Sequence, residues 1–580
     1  MFRANEKHLQ PSLMSDISMM LDAQRKRLQE SWAPVFFEYC FRQIDEEIFA
    51  VLYTDEPSRP NVPVNVLVGL EILKSGLGWS DAELYDAFLF DMQVRYALGY
   101  ESLNDGYFSI RSLYHFRERL TNYNQKHGIN LLDVAFEAIT DEQVKRLEIR
   151  TKTLRMDSTQ IASNIRDSNR LYLLVDGVNR LYRMLDSADQ ASYASLCEAY
   201  IETGSKHYVY GVRGGAATDA ALRAVGLVLA QMLSGLKEQY ATDSAYQTVQ
   251  RLFDENYCLE SDGVEPKANS EIGSGVLQSL DDPEASFRRK NGEEYKGYVA
   301  NISESCDEEN DVQLILKVQA APNNTDDAAL LVEAMPNLVE RTEVDKLYTD
   351  GGFGSDDADR VLNQHQVVQI QSALRGNAPD PDKLSLADYE IEQDAEGRPT
   401  HFTCPQGQRI EVEPGRTTGF LVRFDLDICA GCPLQAICRA QPQKRDLRYT
   451  ISFTQEEVFR AQRRRRHQDF LDSPGNPRAA VESSVRSVKH PFRNGKVPVR
   501  GIFRVTCMLV ASAAMCNVRR IQRYLAKNGP FRPFHSIISS CRPLSRLLSP
   551  ITWRTMASGQ FHRRVHQRHL CRTRISCFSS

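Results

Sequence analysis

The chain has 580 residues, 42% hydrophobic and 25% charged, a balance typical of a soluble globular protein with roughly two to four domains. Its N-terminus is charged from the third residue and no apolar region follows, which argues against a secretory signal. The longest apolar run near the end, 505–516, is too short to span a bilayer and predicts a buried helix, so no membrane partner is expected. Thirteen cysteines without an export signal predict reduced thiols and a cytoplasmic location.

Charge is divided unevenly along the chain. Residues 441–580 carry 28 Lys and Arg against 6 Asp and Glu, whereas residues 1–440 carry 43 against 70. A basic block attached to an acidic body indicates a surface that binds a polyanion such as nucleic acid. For the run RAQRRRRH at 460–467 alone, a solvated helix face is an equally good interpretation.

The first 150 residues have helical periodicity. Apolar residues recur at helical spacing over 63–75 and 110–120, and Ser80 and Glu83 have the spacing of a capping box that begins another helix. Short helices of this kind form either a DNA-binding module or a plain helical bundle, and the residues alone favour the bundle.

Strand-like alternation begins at Leu154. Further strands are predicted at 297–305, 312–319, 346–350 and 367–371, with a helix over 325–342 between two of them. This order predicts an α/β layer with parallel pairing. A long, mostly polar helical insert at about 165–280 separates the first two strands, and its last part has the composition of a loop or linker.

Two carboxylates each follow an apolar strand. Asp157 ends the first strand, and Asp350 ends a later one and precedes Gly351 and Gly352, which permit close approach of a phosphate or metal ion. A buried carboxylate is costly unless it is paired, and parallel neighbouring strands would place these two side by side. Either aspartate alone is more typical of a turn or helix cap; the repeated pattern favours a metal site.

A third carboxylate lies on a helix predicted within NPRAAVESSVRSVKHPF, residues 476–492. Its valines share one face, and the adjacent face carries Glu482, Arg486 and Lys489. Packed on the sheet by its valines, this helix would offer Glu482 to the two aspartates and its cations to a phosphate backbone. The alternative is a surface Glu/Arg pair of small energetic weight. Three carboxylates among basic residues suit two hard metal ions acting on a phosphodiester.

Together these motifs resemble the DDE transposases of bacterial insertion sequences, from about residue 60 to about residue 525. The resemblance rests on the order of four motifs, each weak alone: DSTQIASNI (157–165), RRKNGEEYKGYVANI (288–302), YTDGGFGS (348–355) and RAAVESSVRSVK (478–489). It implies an α/β fold with an RNase H-like mixed sheet flanked by helices, an N-terminal all-α domain and inserted segments.

The resemblance also implies roles for individual residues. Asp157, Asp350 and Glu482 would be the catalytic residues and would hold two Mg²⁺ ions, or Mn²⁺, while Arg478 and Lys489 would bind DNA phosphates alongside Arg486. The family's last signature is Tyr, two residues, Arg, three, Glu, six, Lys. Arg478, Glu482 and Lys489 fit this spacing, but Gly475 stands at the tyrosine position.

The function implied is cleavage of double-stranded DNA at the element's terminal repeats and transfer of the 3′ hydroxyl into target DNA. Because two element ends must be brought together, a homodimer on DNA is expected. The expected location is the bacterial cytoplasm, in association with the nucleoid. The residues themselves indicate only metal-dependent phosphodiester chemistry on nucleic acid. A nuclease without strand transfer, and a catalytically decayed DNA-binding protein, remain as alternatives.

Four cysteines between the second aspartate and Glu482 form another candidate site: Cys404, Cys429, Cys432 and Cys438. The CxxC spacing and four clustered thiols favour structural Zn²⁺ over four reduced cysteines in a loop.

The predicted domains follow from these features: an N-terminal helical domain at 1–150, which the resemblance makes a candidate for DNA binding, the first part of the catalytic core at 151–375, the cysteine insert at 376–470, catalytic helices at 471–530 and a tail at 531–580. The tail has nine Arg and no Lys, Asp or Glu. It is predicted to be disordered, and translation beyond the family's usual end is favoured over a selected DNA-binding tail.

Overall fold

A computed structural model describes residues 1–528 apart from 11–13, 55, 57–59, 261–262, 291, 377, 395, 416–418, 444–447 and 473–474. These residues belong to one compact unit, Met1–Pro533. The predicted tail at 531–580 lies outside the described residues.

The N-terminal region is helical, as predicted. Ser80 Oγ accepts a hydrogen bond from Glu83 N at 3.2 Å and Glu83 Oε2 accepts one from Ser80 N at 2.8 Å, so the predicted capping box is confirmed. The helices are α1 (Asp16–Met19), α2 (Asp22–Gln29), α3 (Ala33–Tyr39), α4 (Val64–Leu77), α5 (Asp81–Phe90), α6 (Met92–Ala97), α7 (Ile110–His127) and α8 (Leu131–Arg146), with 3₁₀ turns at Lys7–Leu9, Phe41–Gln43 and Glu46–Leu52.

Strand β1 (Thr153–Ala162) leads into the helical insert. The insert contains α9 (Arg170–Met184), α10 (Ser187–Ile201), α11 (Gly204–Gly211), α12 (Gly215–Tyr240), α13 (Ser244–Asn256), β2 (Tyr257–Glu260) and β3 (Gly263–Pro266). It has its own core of Leu, Val, Met and aromatic side chains. The apolar residues of each helix are confined to the stripe that meets its neighbours, so a mostly polar helical insert still forms a core. The predicted linker also contains an antiparallel hairpin, β2–β3.

The central sheet adds β4 (Ser286–Lys290), β5 (Glu293–Ser305), β6 (Ile315–Pro322), β7 (Lys346–Thr349) and β8 (Val368–Gln371), with α14 (Asp327–Arg341) and α15 (Asp356–Gln364) between strands. The order is β4–β5–β1–β7–β8, and β6 pairs with β5. In this sheet β1 pairs in parallel with β7 and β7 with β8, whereas β5 is antiparallel to β1, β4 and β6. The mixed α/β prediction is confirmed: β1, β7 and β8 show the predicted parallel pairing, and β4, β5 and β6 follow one another as an antiparallel meander.

The cysteine insert is a small β-rich layer: β9 (Glu390–Gln393), β10 (Pro399–Thr403), β11 (Arg409–Glu411), β12 (Glu413–Pro414), β13 (Phe420–Phe424), α16 (Leu426–Ala430), β14 (Gln441–Pro442), β15 (Tyr449–Phe453) and α17 (Gln455–Asp472). It has its own core, centred on Phe402, Phe424, Ile451 and Phe453. The chain ends its described part with α18 (Val481–Lys489) and α19 (Ile502–Asn528), and short 3₁₀ turns lie at Gly351–Phe353, Leu386–Asp388, Pro477–Ala480 and Arg493–Gly495.

One hydrophobic core joins the N-terminal helices, the central sheet and α19. Helix α19 crosses α4, where Gly76 leaves room for the side chain of Met515. The predicted buried helix at 505–516 is confirmed as the centre of α19. By length and composition alone, α12 and α19 could each cross a membrane; 67% of the apolar window of α19 is buried within the protein.

Candidate active site

Asp157 lies in the middle of β1, and not at a strand end as the sequence predicts. Strand β1 continues to Ala162 because the long strand β5 pairs with it over its whole length from Leu154. The Asp157 side chain is buried, and its Oδ1 accepts hydrogen bonds from Ser158 N at 3.0 Å and Arg478 Nη2 at 3.2 Å. Burial raises the pKa of Asp157, Arg478 lowers it, and the charge of Asp350 raises it again, with a net rise.

Asp350 directly follows β7 and caps the turn Gly351–Phe353. Its Oδ1 accepts a hydrogen bond from Gly352 N at 2.7 Å. A Cβ atom at Gly352 would lie 2.7 Å from both Asp350 Oδ1 and Asp327 Oδ2. The absence of a side chain at Gly352 therefore leaves space for the carboxylates of Asp350 and Asp327. The sequence instead suggests that this space would admit an external phosphate or metal ion.

The strand register brings the two aspartates to neighbouring positions. Arg155 of β1 lies opposite Tyr348 of β7 in a parallel pair, so Asp157 and Asp350 each stand two residues further along. The electrostatic effect of Asp350 on Asp157 shows that the charges are close enough to interact.

Glu482 stands in the first turn of α18. Val481 and Val488 of this helix are buried and Val485 is partly buried, so the predicted valine face does pack inward. The Glu482 side chain is 64% exposed, and its Oε1 lies 3.8 Å from Arg478 Nη1. Among the described residues no three His, Cys, Asp or Glu side chains converge as metal ligands. Glu482 is thus connected to Asp157 through a guanidinium and does not contact it.

The three predicted DNA-binding cations have different environments. Arg478 is turned inward toward Asp157, with 17% of its side chain exposed. Lys489 Nζ donates to Thr159 Oγ1 at 3.2 Å and to Gln160 O at 2.9 Å, and burial lowers its pKa. Arg486 is exposed on the outer face of α18. In this arrangement Arg478 and Lys489 fix α18 and the preceding turn to β1, while Arg486 faces solvent.

Gly475, at the position of the family's tyrosine, is exposed and has a φ of +90°. An L-residue rarely adopts this backbone conformation. The departure from the signature therefore coincides with a local turn that a tyrosine would strain.

A buried ionic network beside the aspartates was missed from the sequence. Glu304 of β5 has no exposed surface and pairs with Arg155 at 2.6 Å and Arg520 at 2.8 Å. Ser484 of α18 donates to Glu304 at 2.6 Å, and Arg155 Nη1 donates to Pro477 O at 2.7 Å. The network fixes α18 and the turn bearing Arg478 to the sheet. Charged residues inside otherwise apolar strands, as in "TLRMDS" and "ANISES", were the available signal.

Asp327, the first residue of α14, is a second missed carboxylate. It is 1% exposed and accepts a hydrogen bond from Ser158 Oγ at 2.9 Å, and Arg288 lies 3.6 Å away. Ser158 directly follows Asp157, and Gly352 lies two residues after Asp350. Asp327 lies against both Ser158 and Gly352, so it contacts both segments that carry the predicted catalytic aspartates.

The arginine run of α17 is largely used within the protein. Arg460 pairs with Asp356 at 2.9 Å and Arg463 with Asp359 at 3.3 Å, both on α15. Burial raises the pKa of Asp359 to about 6. Arg465 Nε donates to a backbone carbonyl of the cysteine insert. These cations attach α17 to α15 and to the cysteine insert, so part of the basic block is not available to a polyanion.

The four cysteines of the insert line one cavity of about 30 Å³. Tyr389 Oη lies 3.2 Å from Cys438 Sγ, and Gln408 N donates to Cys404 Sγ at 3.4 Å. Burial raises the pKa of Cys429, to which the charges of the other three thiols add. Four thiols around one cavity are a donor set that suits Zn²⁺, although in this arrangement no three of them converge as ligands within the described residues.

A family model described as a transposase DDE domain matches residues 403–522. The matched segment runs from the cysteine insert through α18 to α19, so it includes Arg478, Glu482 and Lys489 but neither Asp157 nor Asp350. The match supports a DDE transposase. No curated protein and no solved structure matches the chain.

Proposed function

We propose that this protein is a DDE transposase with an RNase H-like catalytic core, which cleaves DNA at the ends of its element and transfers the 3′ hydroxyl into target DNA. The observation that carries the proposal is the placement of Asp157 and Asp350 at equivalent positions of parallel strands, with the helix bearing Glu482 packed against β1. The strand order and the family match over 403–522 support it independently.

The acidic residues fit the metal ions that this chemistry uses. Asp157, Asp350 and Glu482 offer carboxylate oxygens, which hard divalent cations prefer. A cation of the chain, the guanidinium of Arg478, already stands between Asp157 and Glu482. Divalent ions bound by these three carboxylates would activate a water or 3′ hydroxyl and stabilise the leaving oxygen.

The other side chains position the site and hold the substrate. The Arg478 guanidinium lies between Asp157 and Glu482 and would position these two carboxylates. Lys489 anchors α18 to β1, and exposed Arg486 is placed to contact a DNA backbone from the same helix. Two such sites in a homodimer would act on the two ends of one element, in a bacterial cytoplasm.

The cysteine insert has a separate structural role in this proposal. Its four thiolates would hold one Zn²⁺ ion and stabilise a small layer that joins β8 to α18.

The test is cleavage of a linear duplex carrying the element's terminal repeats, with Mg²⁺ or Mn²⁺. Wild-type protein is expected to cut at the repeat boundary, whereas Asp157→Ala and Glu482→Gln bind the duplex without cutting it. Asp282→Asn is the control, because Asp282 is also a buried carboxylate, but its Oδ2 accepts a hydrogen bond from Ser163 Oγ at 2.8 Å, beyond the end of β1. Binding without cutting by the wild type would instead favour the decayed DNA-binding protein, and cutting without joined products would favour a nuclease.

A further inference from the structure

A second cavity, of about 360 Å³, lies beside α18 at the C-terminal end of α19. Four basic side chains line it, namely Arg155, Arg520, Arg523 and Lys527. Asp311 is the one acidic lining residue among those the structure describes, and Ser483 and Tyr524 contribute hydroxyl groups. We name it the α19 basic cavity.

The periodicity of α19 explains most of its wall. Arg520, Arg523, Tyr524 and Lys527 are spaced i, i+3, i+4 and i+7, so they share one helix face. Arg155 comes from β1, two residues before Asp157 and therefore on the same face of the sheet. The lining thus combines side chains from two elements of the catalytic core.

The positive charge of this cavity is only partly neutralised. Arg155 and Arg520 share a single carboxylate, Glu304, which leaves one of the two charges uncompensated. Arg523 Nε donates to Arg519 O at 3.2 Å. Within the described part of the chain, neither Arg523 nor Lys527 pairs with a carboxylate, and both are exposed.

The helix dipole gives a simpler reason for some of these cations, since basic residues are favourable in the last turn of a helix. That reason covers Lys527. It does not cover Arg155, which lies on a strand, or Arg520, which lies more than two turns before the end of α19. Arg155 and Arg520 share Glu304, which neutralises only one of their two charges, and Arg523 and Lys527 add two more, so a net positive charge remains that an anionic ligand would neutralise.

We propose that the α19 basic cavity binds backbone phosphates of the DNA that occupies the candidate active site. The proposal rests on the proposed function for the identity of the ligand. Ala480 lines the cavity, and Arg478, two residues earlier, contacts Asp157. The turn Pro477–Ala480 therefore contributes to both sites, and a DNA strand that crosses this turn is expected to reach both. Arginine and lysine groups with neighbouring hydroxyls bind phosphate oxygens without regard to base sequence.

The test is DNA affinity as a function of salt, using the full chain and a short duplex of arbitrary sequence. Arg523→Gln combined with Lys527→Gln is expected to weaken binding and to make the slope of log K against log salt shallower by about two, because each lost phosphate contact removes about 0.9 from the slope. The matched control is Lys206→Gln with Lys237→Gln, which removes two exposed lysines of the helical insert. A slope unchanged from the wild type, or an equal change in the control, overturns the proposal.

Two further measurements separate the possible failures. If the wild type binds DNA without cutting it and the double variant has a shallower slope, the proposed cleavage is refuted and the cavity proposal is supported. If the wild type cuts DNA and the double variant keeps the wild-type slope, only the cavity proposal is refuted. Pyrophosphate is the probe for a free anion: if it binds the wild type while the double variant keeps the wild-type DNA slope, the cavity takes small anions and the DNA proposal is overturned.

Discussion

Arg478 Nη2 lies 3.2 Å from Asp157 Oδ1, and Nη1 of the same guanidinium lies 3.8 Å from Glu482 Oε1. A cation of the protein therefore stands between two of the three carboxylates proposed to bind metal ions. Because both kinds of cation are attracted by the same negative oxygens, Arg478 and a metal ion compete for Asp157.

Replacing Arg478 should consequently change metal affinity in the absence of DNA. Arg478→Gln is expected to tighten Mn²⁺ binding on the order of tenfold, the equivalent of a charge-assisted hydrogen bond of ~1.5 kcal/mol. Titration calorimetry or the electron paramagnetic resonance of free Mn²⁺ measures this. Arg486→Gln, an exposed arginine of α18, is the control and should bind Mn²⁺ as the wild type does. Weaker binding by Arg478→Gln would show that this side chain supports the metal site and does not compete with it.

Glu304 should be critical for stability. Its carboxylate is fully buried and is the shared partner of two arginines, so Glu304→Gln leaves Arg155 and Arg520 without this counter-charge. Removing one partner of such a buried network costs about 3–5 kcal/mol. Urea denaturation followed by circular dichroism would measure the loss. Asp357→Asn, at an exposed ion pair on α15, should change stability by less than about 0.5 kcal/mol; a similar loss in both variants would argue against a special role of Glu304.

The dependence of stability on pH should include a contribution from Asp133. Burial raises its pKa to about 6, Lys317 lowers it and Glu137 raises it. Its Oδ1 has no hydrogen-bond partner among the described residues. Because the folded-state pKa lies above the unfolded value, the folded protein binds the proton more tightly, and ionised Asp133 destabilises it increasingly from about pH 4 to about pH 6. Asp133→Asn should therefore be more stable than the wild type by roughly 1–2 kcal/mol above pH 6, with the difference vanishing below pH 4.

The midpoint of urea denaturation across this pH range tests the sign. Asp141→Asn on the same helix, whose carboxylate pairs with Arg341 at 2.7 Å, serves as the comparison because it should be destabilising at neutral pH. An Asp133→Asn variant less stable than the wild type at pH 7 would mean that attraction to Lys317 outweighs the cost of burial.

The cysteine insert should contain one zinc ion per chain if its thiols act as ligands. Metal analysis of purified protein is expected to find this ion, and Cys432→Ser is expected to lose it together with part of the thermal stability. Cys258→Ser removes an exposed cysteine of the β2–β3 hairpin and should retain the metal. Protein without zinc whose stability is unaffected by chelators would leave the four thiols as reduced side chains around a small apolar cavity.

Local patterns in the sequence predicted several helices and strands of the protein well. The helix over 481–489, the strands near 346 and 368 and the Ser80–Glu83 capping box all depend on interactions between residues close in the chain. Alternation of apolar residues every two or every 3.6 positions is enough to identify such elements. The insert was less predictable, because the apolar residues of its helices become a core only when five helices pack together.

What the sequence by itself determined is the set of chemical groups and their local placement: two aspartates associated with strands, a glutamate on an amphipathic helix, four clustered cysteines and a basic C-terminal quarter. The tertiary structure decided which charges meet. Arg478 is 321 residues from Asp157 and Glu304 is 149 residues from Arg155, and such partners are chosen by strand register and helix packing. Electrostatic pairing depends on distance and burial, and no local pattern encodes either quantity.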